Sequence, residues 1–494
     1  MRKYHVFKII GLIAFSFSIP FIWMGNQHIP YIGGIIAIAL MWFANLFFCL
    51  DSVKERIFFL FFQLAMFLFL VSRPIISTIR QEEWWFGWAE CDRFAILGLY
   101  LSLLGLYIGA NIVVQYHMYR KEKRETVKKG KIQMYDEKYL GILQFTAGVG
   151  YLFCWLALMA SGIEKVFFIQ GKEYLDYYAQ FQRQLPYIVT VVGSMAKYFL
   201  CVFLAAKPGK KYAFFMLSSY IISTIPALIV GERNPIVLSC IFAFLYYFIR
   251  DVLEDSKKWI GRVEKVLMIV CIPVSIIFFG FYAQIRNGES VRLTGIADAV
   301  VDFFYNQSIS YEVLIVGSGA IDKLPHRYFQ NYTFGGFIDY FSHGSFAQKF
   351  LGATGLTDNN SLINAFESNS FAHNMSYIAK GEEAYLNGEG LGSSFILETY
   401  VDFGYLGVFL FSIFLGALLI FLWKMIRQNS FTFTIALLIL TSIFFSPRAE
   451  ATGWIQFIVY LQFWLPVIAC YVGSVILEYL YDKSGIKLKV KKGK

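Results

Sequence analysis

Charged side chains are scarce: Asp, Glu, Lys and Arg make up 16% of the chain, against about 25% in a soluble domain. That shortage excludes an ordinary water-soluble enzyme. Cysteine supplies no framework either. Cys49, Cys154, Cys201, Cys240, Cys271 and Cys470 fall in or beside apolar runs, Cys91 stands alone, and no CxxC spacing occurs. Neither a disulfide scaffold nor a zinc site is indicated. Histidine is thin as well. His326, His343 and His373 are too far apart for the i, i+4 pairing of helical metal ligands, so no metal and no cofactor is expected. The Gly-x-Gly-x-Gly spacing at 388–392 follows no strand pattern, which excludes a dinucleotide fingerprint. The net charge is +10, but no nucleic-acid reader can be built from such segments. A basic run such as 120–131 reads as a solvated face attracted to anionic lipid headgroups.

Long apolar runs are what the chain has in abundance. Its residues are 57% hydrophobic and 19% aromatic, with a mean hydropathy of +0.54. Runs of 18 or more such residues can cross a hydrocarbon core of about 30 Å. Twelve spans are expected, at 6–24, 30–50, 57–79, 94–115, 139–160, 186–206, 212–230, 235–250, 267–285, 404–423, 431–446 and 454–477. The eighth and eleventh are short, and merged, tilted or re-entrant forms stay open. The first run lacks a small-residue cleavage site and another run follows closely, so it reads as an anchor rather than a cleaved signal.

Lys and Arg placement orients the spans. With Arg2 and Lys3 inside, every second connection is basic: Lys54 and Arg56; Arg120 to Lys138; Lys207, Lys210 and Lys211; Lys257 to Lys265; Lys424 and Arg427; and the tail after Lys483. The expectation is an all-α polytopic membrane protein with both termini in the cytoplasm. It divides into spans one to nine (1–285), an outer loop (286–394), spans ten to twelve (395–482) and a basic tail (483–494).

The outer loop holds eleven acids against six basic residues, and it is too long to be an idle connection. Apolar spacing at Ile296, Val300, Val301 and Phe304 suggests an amphipathic helix within 295–316, lying in the interface plane. Arginines at outer helix ends run against the positive-inside trend: Arg73, Arg233, Arg286 and Arg448. They either snorkel to headgroups or clamp a diphosphate, whose oxygens match the guanidinium fork. Their origin in separate hairpins favours the clamp. Lys197 lies mid-span, where a cation needs a partner or water; a ligand and a buried acid are both open. His373 could act as a general base or be an ordinary loop histidine. Gly390 and Gly392 permit close backbone approach, and the Ser393 and Ser394 amides at a helix start could bind an anion. Glu398 and Asp402 share one helical face and could orient an arginine, accept a sugar proton, or form structural ion pairs.

Three stretches carry a family resemblance: Gly231-Glu-Arg-Asn234; Asp302-Phe-Phe-Tyr-Asn-Gln-Ser308 with Leu324-Pro and Tyr332-Thr-Phe downstream; and Phe371-Ala-His-Asn through Tyr385-Leu-Asn-Gly-Glu-Gly-Leu-Gly-Ser-Ser, Glu398-Thr-Tyr and Asp402-Phe-Gly-Tyr-Leu-Gly407. With about twelve spans and one large outer loop, the chain resembles the Wzy-type O-antigen and capsular polysaccharide polymerases. The resemblance implies a GT-C-like membrane fold and a metal-independent glycosyltransferase at the outer face of the bacterial cytoplasmic membrane. Such an enzyme transfers a growing glycan from undecaprenyl diphosphate to the terminal sugar of a lipid-linked repeat unit. On that reading Arg233, Arg286, Arg448 and Lys197 meet the leaving diphosphate. His373, Glu398 and Asp402 handle the acceptor hydroxyl. Gln307, Gly390, Gly392, Ser393, Ser394 and Tyr400 form the substrate-binding loop. A chain-length regulator and a flippase are the partners it implies. A glycan ligase using the same donor and a flippase are the alternative functions. A secondary transporter is disfavoured, because the two halves show no clear similarity and the outer loop exceeds what transport needs.

Overall fold

The computed structural model describes residues 2–25, 31–124, 137–254, 258–286 and 295–484. Among these every regular element is helical. Twelve helices are long and apolar enough to cross a membrane: Val6–Gly25, Ile32–Asp51, Val53–Arg80, Ala89–Tyr116, Glu137–Ile169, Tyr187–Ala205, Lys210–Val230, Asn234–Leu253, Arg262–Gly280, Phe395–Gln428, Ser430–Arg448 and Leu461–Lys483. Each coincides with an expected run.

The differences lie at ends and breaks. The tenth span was expected from 404 and starts at Phe395, yet Gly404 interrupts it with φ 65° and ψ −164°. A short helical piece, 395–403, therefore precedes the long apolar one. Its polar face (Glu398, Thr399, Asp402) is what hid it from hydropathy. The twelfth was expected from 454 and begins at Leu461. Residues 449–460 instead form turns and a 3-10 segment, with Trp454 and Phe457 buried against protein. Hydropathy does not distinguish burial in protein from burial in lipid. The eleventh is α-helical only over Ser430–Leu440 and tightens to 3-10 at Ile443–Arg448, around Pro447. The sixth breaks at Met195, between Tyr187–Ser194 and Ala196–Ala205.

Spans four and ten form the tightest seam. A Cβ placed on Gly109 would stand 1.9 Å from the Ile413 carbonyl oxygen, so only glycine permits this backbone contact. The Ser102 and Ser412 hydroxyls, 3.2 Å apart, satisfy each other in the same seam.

Connections expected to share a side touch one another. At one end Lys138 pairs with Asp482, Lys210 with Glu264 at 2.5 Å, and Arg250 donates to the Pro208 carbonyl at 2.8 Å. At the other, Arg80 pairs with Asp302 at 2.6 Å, the Thr452 hydroxyl donates to the Thr333 carbonyl at 2.7 Å, and the Asn360 amide donates to Tyr178 at 3.0 Å. The long loop is a packed cap of short helices. The expected interfacial helix across 295–316 splits into Ile296–Gln307 and Ser310–Gly319. The second piece is buried through Tyr311, Leu314 and Ile315, because Val313 to Val316 leave it no polar face to keep in water.

Candidate active site

The piece 395–403 binds together segments distant in sequence. Glu398 is fully buried; it accepts from the Ser393 hydroxyl at 2.7 Å and from the Ala451 amide at 2.8 Å. One turn later, Asp402 accepts from the Tyr332 amide at 3.0 Å and the Thr333 amide at 2.6 Å. Thr452 closes the set by donating to Thr333. Two carboxylates on one helical face thus hold both the 332–333 stretch and the start of the 449–460 segment. Carboxyl oxygens suit this task, since each side chain can accept from more than one N–H or O–H donor.

The 449–460 segment carries a carboxylate that sequence reasoning did not single out. Glu450 is half-buried and accepts from the Gln456 carboxamide at 2.8 Å. The Tyr460 hydroxyl donates to the same Gln456 side chain at 3.0 Å. Burial raises the Glu450 carboxyl above its ordinary range; the Gln456 bond pulls it down, and nearby Asp339 pushes it up again. Asp339 is itself raised by burial, although the Asn369 amide and carboxamide, at 2.9 and 2.8 Å, oppose the shift. A largely buried carboxyl with a raised pKa is suited to accept a proton. The signal available in the sequence was its place in Ser-Pro-Arg-Ala-Glu, two residues from Arg448.

The expected cations are only partly gathered. Arg448 lies beside Glu450 in the chain, with its guanidinium 6.0 Å from the Phe69 ring centre. Lys197 opens the second half of the sixth span just after the break and keeps accessible surface, with its ammonium 5.1 Å from the Tyr198 ring. Tyr198 in turn packs on Phe457 and Phe463, at 6.4 and 5.6 Å between ring centres. Arg448 therefore adjoins the 449–460 segment directly, whereas Lys197 is linked to it only through its neighbour Tyr198. Arg233 sits at the start of the eighth span and donates to the Phe279 carbonyl at 3.4 Å, toward the ninth. Arg286 ends its helix, and its side chain lies outside the described residues. Arg73 pairs with Glu312 and lies 4.2 Å from the Tyr305 ring, a structural arrangement.

Other expected residues lie apart. His373 hydrogen-bonds through Nδ1 to the Tyr385 hydroxyl at 2.8 Å, and burial lowers its pKa. Its helix, Phe371–Lys380, turns Asn374 rather than His373 toward Tyr332. Gln307 is buried at a helix end. Gly390 lies beside Ser376, and Gly392 adopts φ +78°. The close approach in this run belongs to Gly388, whose Cβ would meet the Leu175 carbonyl at 2.4 Å; the neighbour is protein. Ser393 is engaged by Glu398, and the Ser394 hydroxyl caps the Ile396 amide at 3.4 Å. That helix start is filled by the chain's own groups. Tyr400 packs between Phe94 and Tyr405, its ring tilted against both at 4.1 and 4.9 Å between centres. His343 bonds the Thr354 carbonyl at 2.9 Å.

A family model, O-antigen polysaccharide polymerase Wzy, matches residues 7–479. The chain belongs to the Wzy family of O-antigen polysaccharide polymerases. It is therefore a multi-pass membrane polymerase of polysaccharide synthesis. No match was found among curated proteins or among solved structures. The motifs around Glu398 and Asp402 that resembled the Wzy polymerases thus lie in a chain matched to that family over nearly its whole length.

Proposed function

We propose that the chain joins lipid-linked oligosaccharide repeat units at the extracytoplasmic face of the bacterial cytoplasmic membrane, using the end of the helical bundle built around 395–403 and 449–460. The donor is a glycan on undecaprenyl diphosphate, and the acceptor is the terminal sugar of another lipid-linked unit. The acceptor hydroxyl gives its proton to the Glu450 carboxylate while its oxygen bonds to the donor's anomeric carbon. The bond from that carbon to the diphosphate breaks, and negative charge grows on the departing phosphate oxygen. Arg448, next to Glu450's segment, meets that charge, with Lys197, Arg233 and Arg286 as further contributors from other spans. Glu398 and Asp402 position the machinery: they hold the 449–460 segment and the 332–333 stretch in register. His373, neutral through burial, serves as a hydrogen-bonding group at the acceptor side of the loop. Arginine and lysine replace a divalent ion in this scheme.

The observation that carries the reading is the pair of bonds from Ala451 to Glu398 and from Thr452 to Thr333, because they fix the segment that bears the proton acceptor Glu450 and follows directly on Arg448. A strain lacking the chain tests it. Accumulation of single capped repeat units supports polymerisation. Full-length chains left on their carrier would point to a ligase, and units retained on the cytoplasmic leaflet would point to a flippase.

A further inference from the structure

The helix Gly335–Ser342 lies against the 3-10 turn Gln456–Val459 and starts with two glycines. A Cβ on Gly335 would stand 2.1 Å from the Asn369 carbonyl oxygen, and one on Gly336 would stand 1.8 Å from Gln456 Nε2. The first neighbour is backbone. The second is the end of a side chain: the three atoms nearest a Cβ at 336 all belong to the Gln456 carboxamide. Gly336, Asp339 and Tyr340 share one helical face. That face meets the segment carrying Glu450, with Tyr340 packed on Tyr460 at 5.1 Å between ring centres.

The helix is held in this contact from both sides. The stretch leading into it is fixed by Asp402 through the Tyr332 and Thr333 amides and by the Thr452 hydroxyl. Asn369 fixes it again, its amide and carboxamide donating to Asp339. Bulk added at 336 therefore falls on Gln456. That side chain is tied at both ends. The Tyr460 hydroxyl donates to its Oε1 at 3.0 Å, and its Nε2 donates to Glu450 Oε2 at 2.8 Å. An ionised carboxylate only accepts, so it suits a donor aimed in that direction. Among the described residues no hydrogen bond reaches Glu450 Oε1.

We infer that Gln456 is a positioning residue for the proton acceptor, and that the bare backbone of Gly336 is the space it needs. The carboxamide fixes Oε2 of Glu450 and leaves Oε1 to take the proton of the acceptor hydroxyl. A donor on Oε2 also favours the ionised carboxylate and so works against burial. The charged and titratable groups around Glu450 are Asp339 on the helix, Glu398 on 395–403, Tyr460 at the segment's end and Arg448 before it. A methyl group at 336 removes none of them and pushes only on the carboxamide.

The inference rests on Glu450 as the proton acceptor of the polymerase reading, and the experiment keeps the two apart. Full-length wild type, Gly336→Ala and Gln456→Met are compared in nanodiscs. Three quantities are measured: the melting temperature, the pH profile of joining with lipid-linked repeat units, and the infrared titration of the carboxyl band that Glu450→Gln abolishes. Alanine is the better helix former, so Gly336→Ala should melt no lower than wild type. Gln456→Met removes the bond without touching 336. In both variants the band and the acid limb should move to higher pH, because the bond that favoured the ionised form is gone. kcat should fall on the order of tenfold, the worth of one hydrogen bond to a charged group, with KM for the repeat unit unchanged. The double variant should do no worse than either single one, since both act on one bond. A band and limb at wild-type pH in the folded variants would remove the positioning role. So would a lowered melting temperature with the limb unmoved, the mark of plain packing. A band that moves while kcat and the limb stay put would leave the contact standing and remove Glu450 as the proton acceptor.

Discussion

The acids of this bundle take two kinds of partner, according to where they stand. Toward the surface they pair with bases at both ends: Lys138 with Asp482, Lys210 with Glu264 and Arg250 with Glu254 at one, Arg80 with Asp302 and Lys380 with Glu389 at the other. On the short helical piece 395–403, Glu398 and Asp402 accept backbone amides and a hydroxyl instead of cations. The amide-bound acids organise long, irregular segments. The difference separates acids that finish a surface from acids that build a site.

The strongest way to break this contrast is Glu398→Ala. It leaves the Ala451 amide and the Ser393 hydroxyl without their acceptor in a buried place, at about 1–3 kcal/mol for each. We expect a lowered melting temperature in detergent and no detectable joining of repeat units. A variant with wild-type melting and activity would show that the 449–460 segment holds itself in place.

Next in size is Glu450→Gln, which should slow joining by about 10²–10⁴-fold, the span of general-base effects. The pH dependence sharpens it. A raised carboxyl pKa means that the proton-accepting form is lost as pH falls, and lost at a higher pH than for an ordinary glutamate near about 4.3. The acid limb of the wild-type profile should therefore lie above that value and vanish in Glu450→Gln. His373→Gln should leave the limb where it is, because burial lowers the His373 pKa. A limb that follows His373 instead would transfer the proton to that residue.

The smallest effect belongs to the paired surface acids. Lys210→Ala removes a partly exposed ion pair with Glu264 and should change stability by no more than about 1 kcal/mol, with product length unaltered. A large loss of polymer there would erase the distinction between the two kinds of acid.

Much of this architecture was legible in the amino-acid sequence. The twelve spans follow from apolar runs, because lipid demands them. Glu398 and Asp402 were legible as two acids on one face, but their amide partners were not, being 53 and 69–70 residues away in the chain. Glu450 was hidden for the same reason, since its meaning comes from Gln456, Asp339 and the bond at Ala451. The Gly-rich run was legible as a place of close approach, yet whether protein or ligand approached depended on Leu175. Local pattern reports which residues can share a face. It does not report which distant segment will meet that face.

The most direct measurement of the central claim is single-turnover joining of purified lipid-linked repeat units by the reconstituted protein, wild type and Arg448→Ala, each with and without EDTA. The account predicts joining by the wild type that EDTA leaves unchanged, and a loss of about 10²–10³-fold in Arg448→Ala, the scale of removing one group that stabilises developing charge. Strict dependence of the wild type on a divalent ion, or near-wild-type joining by folded Arg448→Ala, would contradict it.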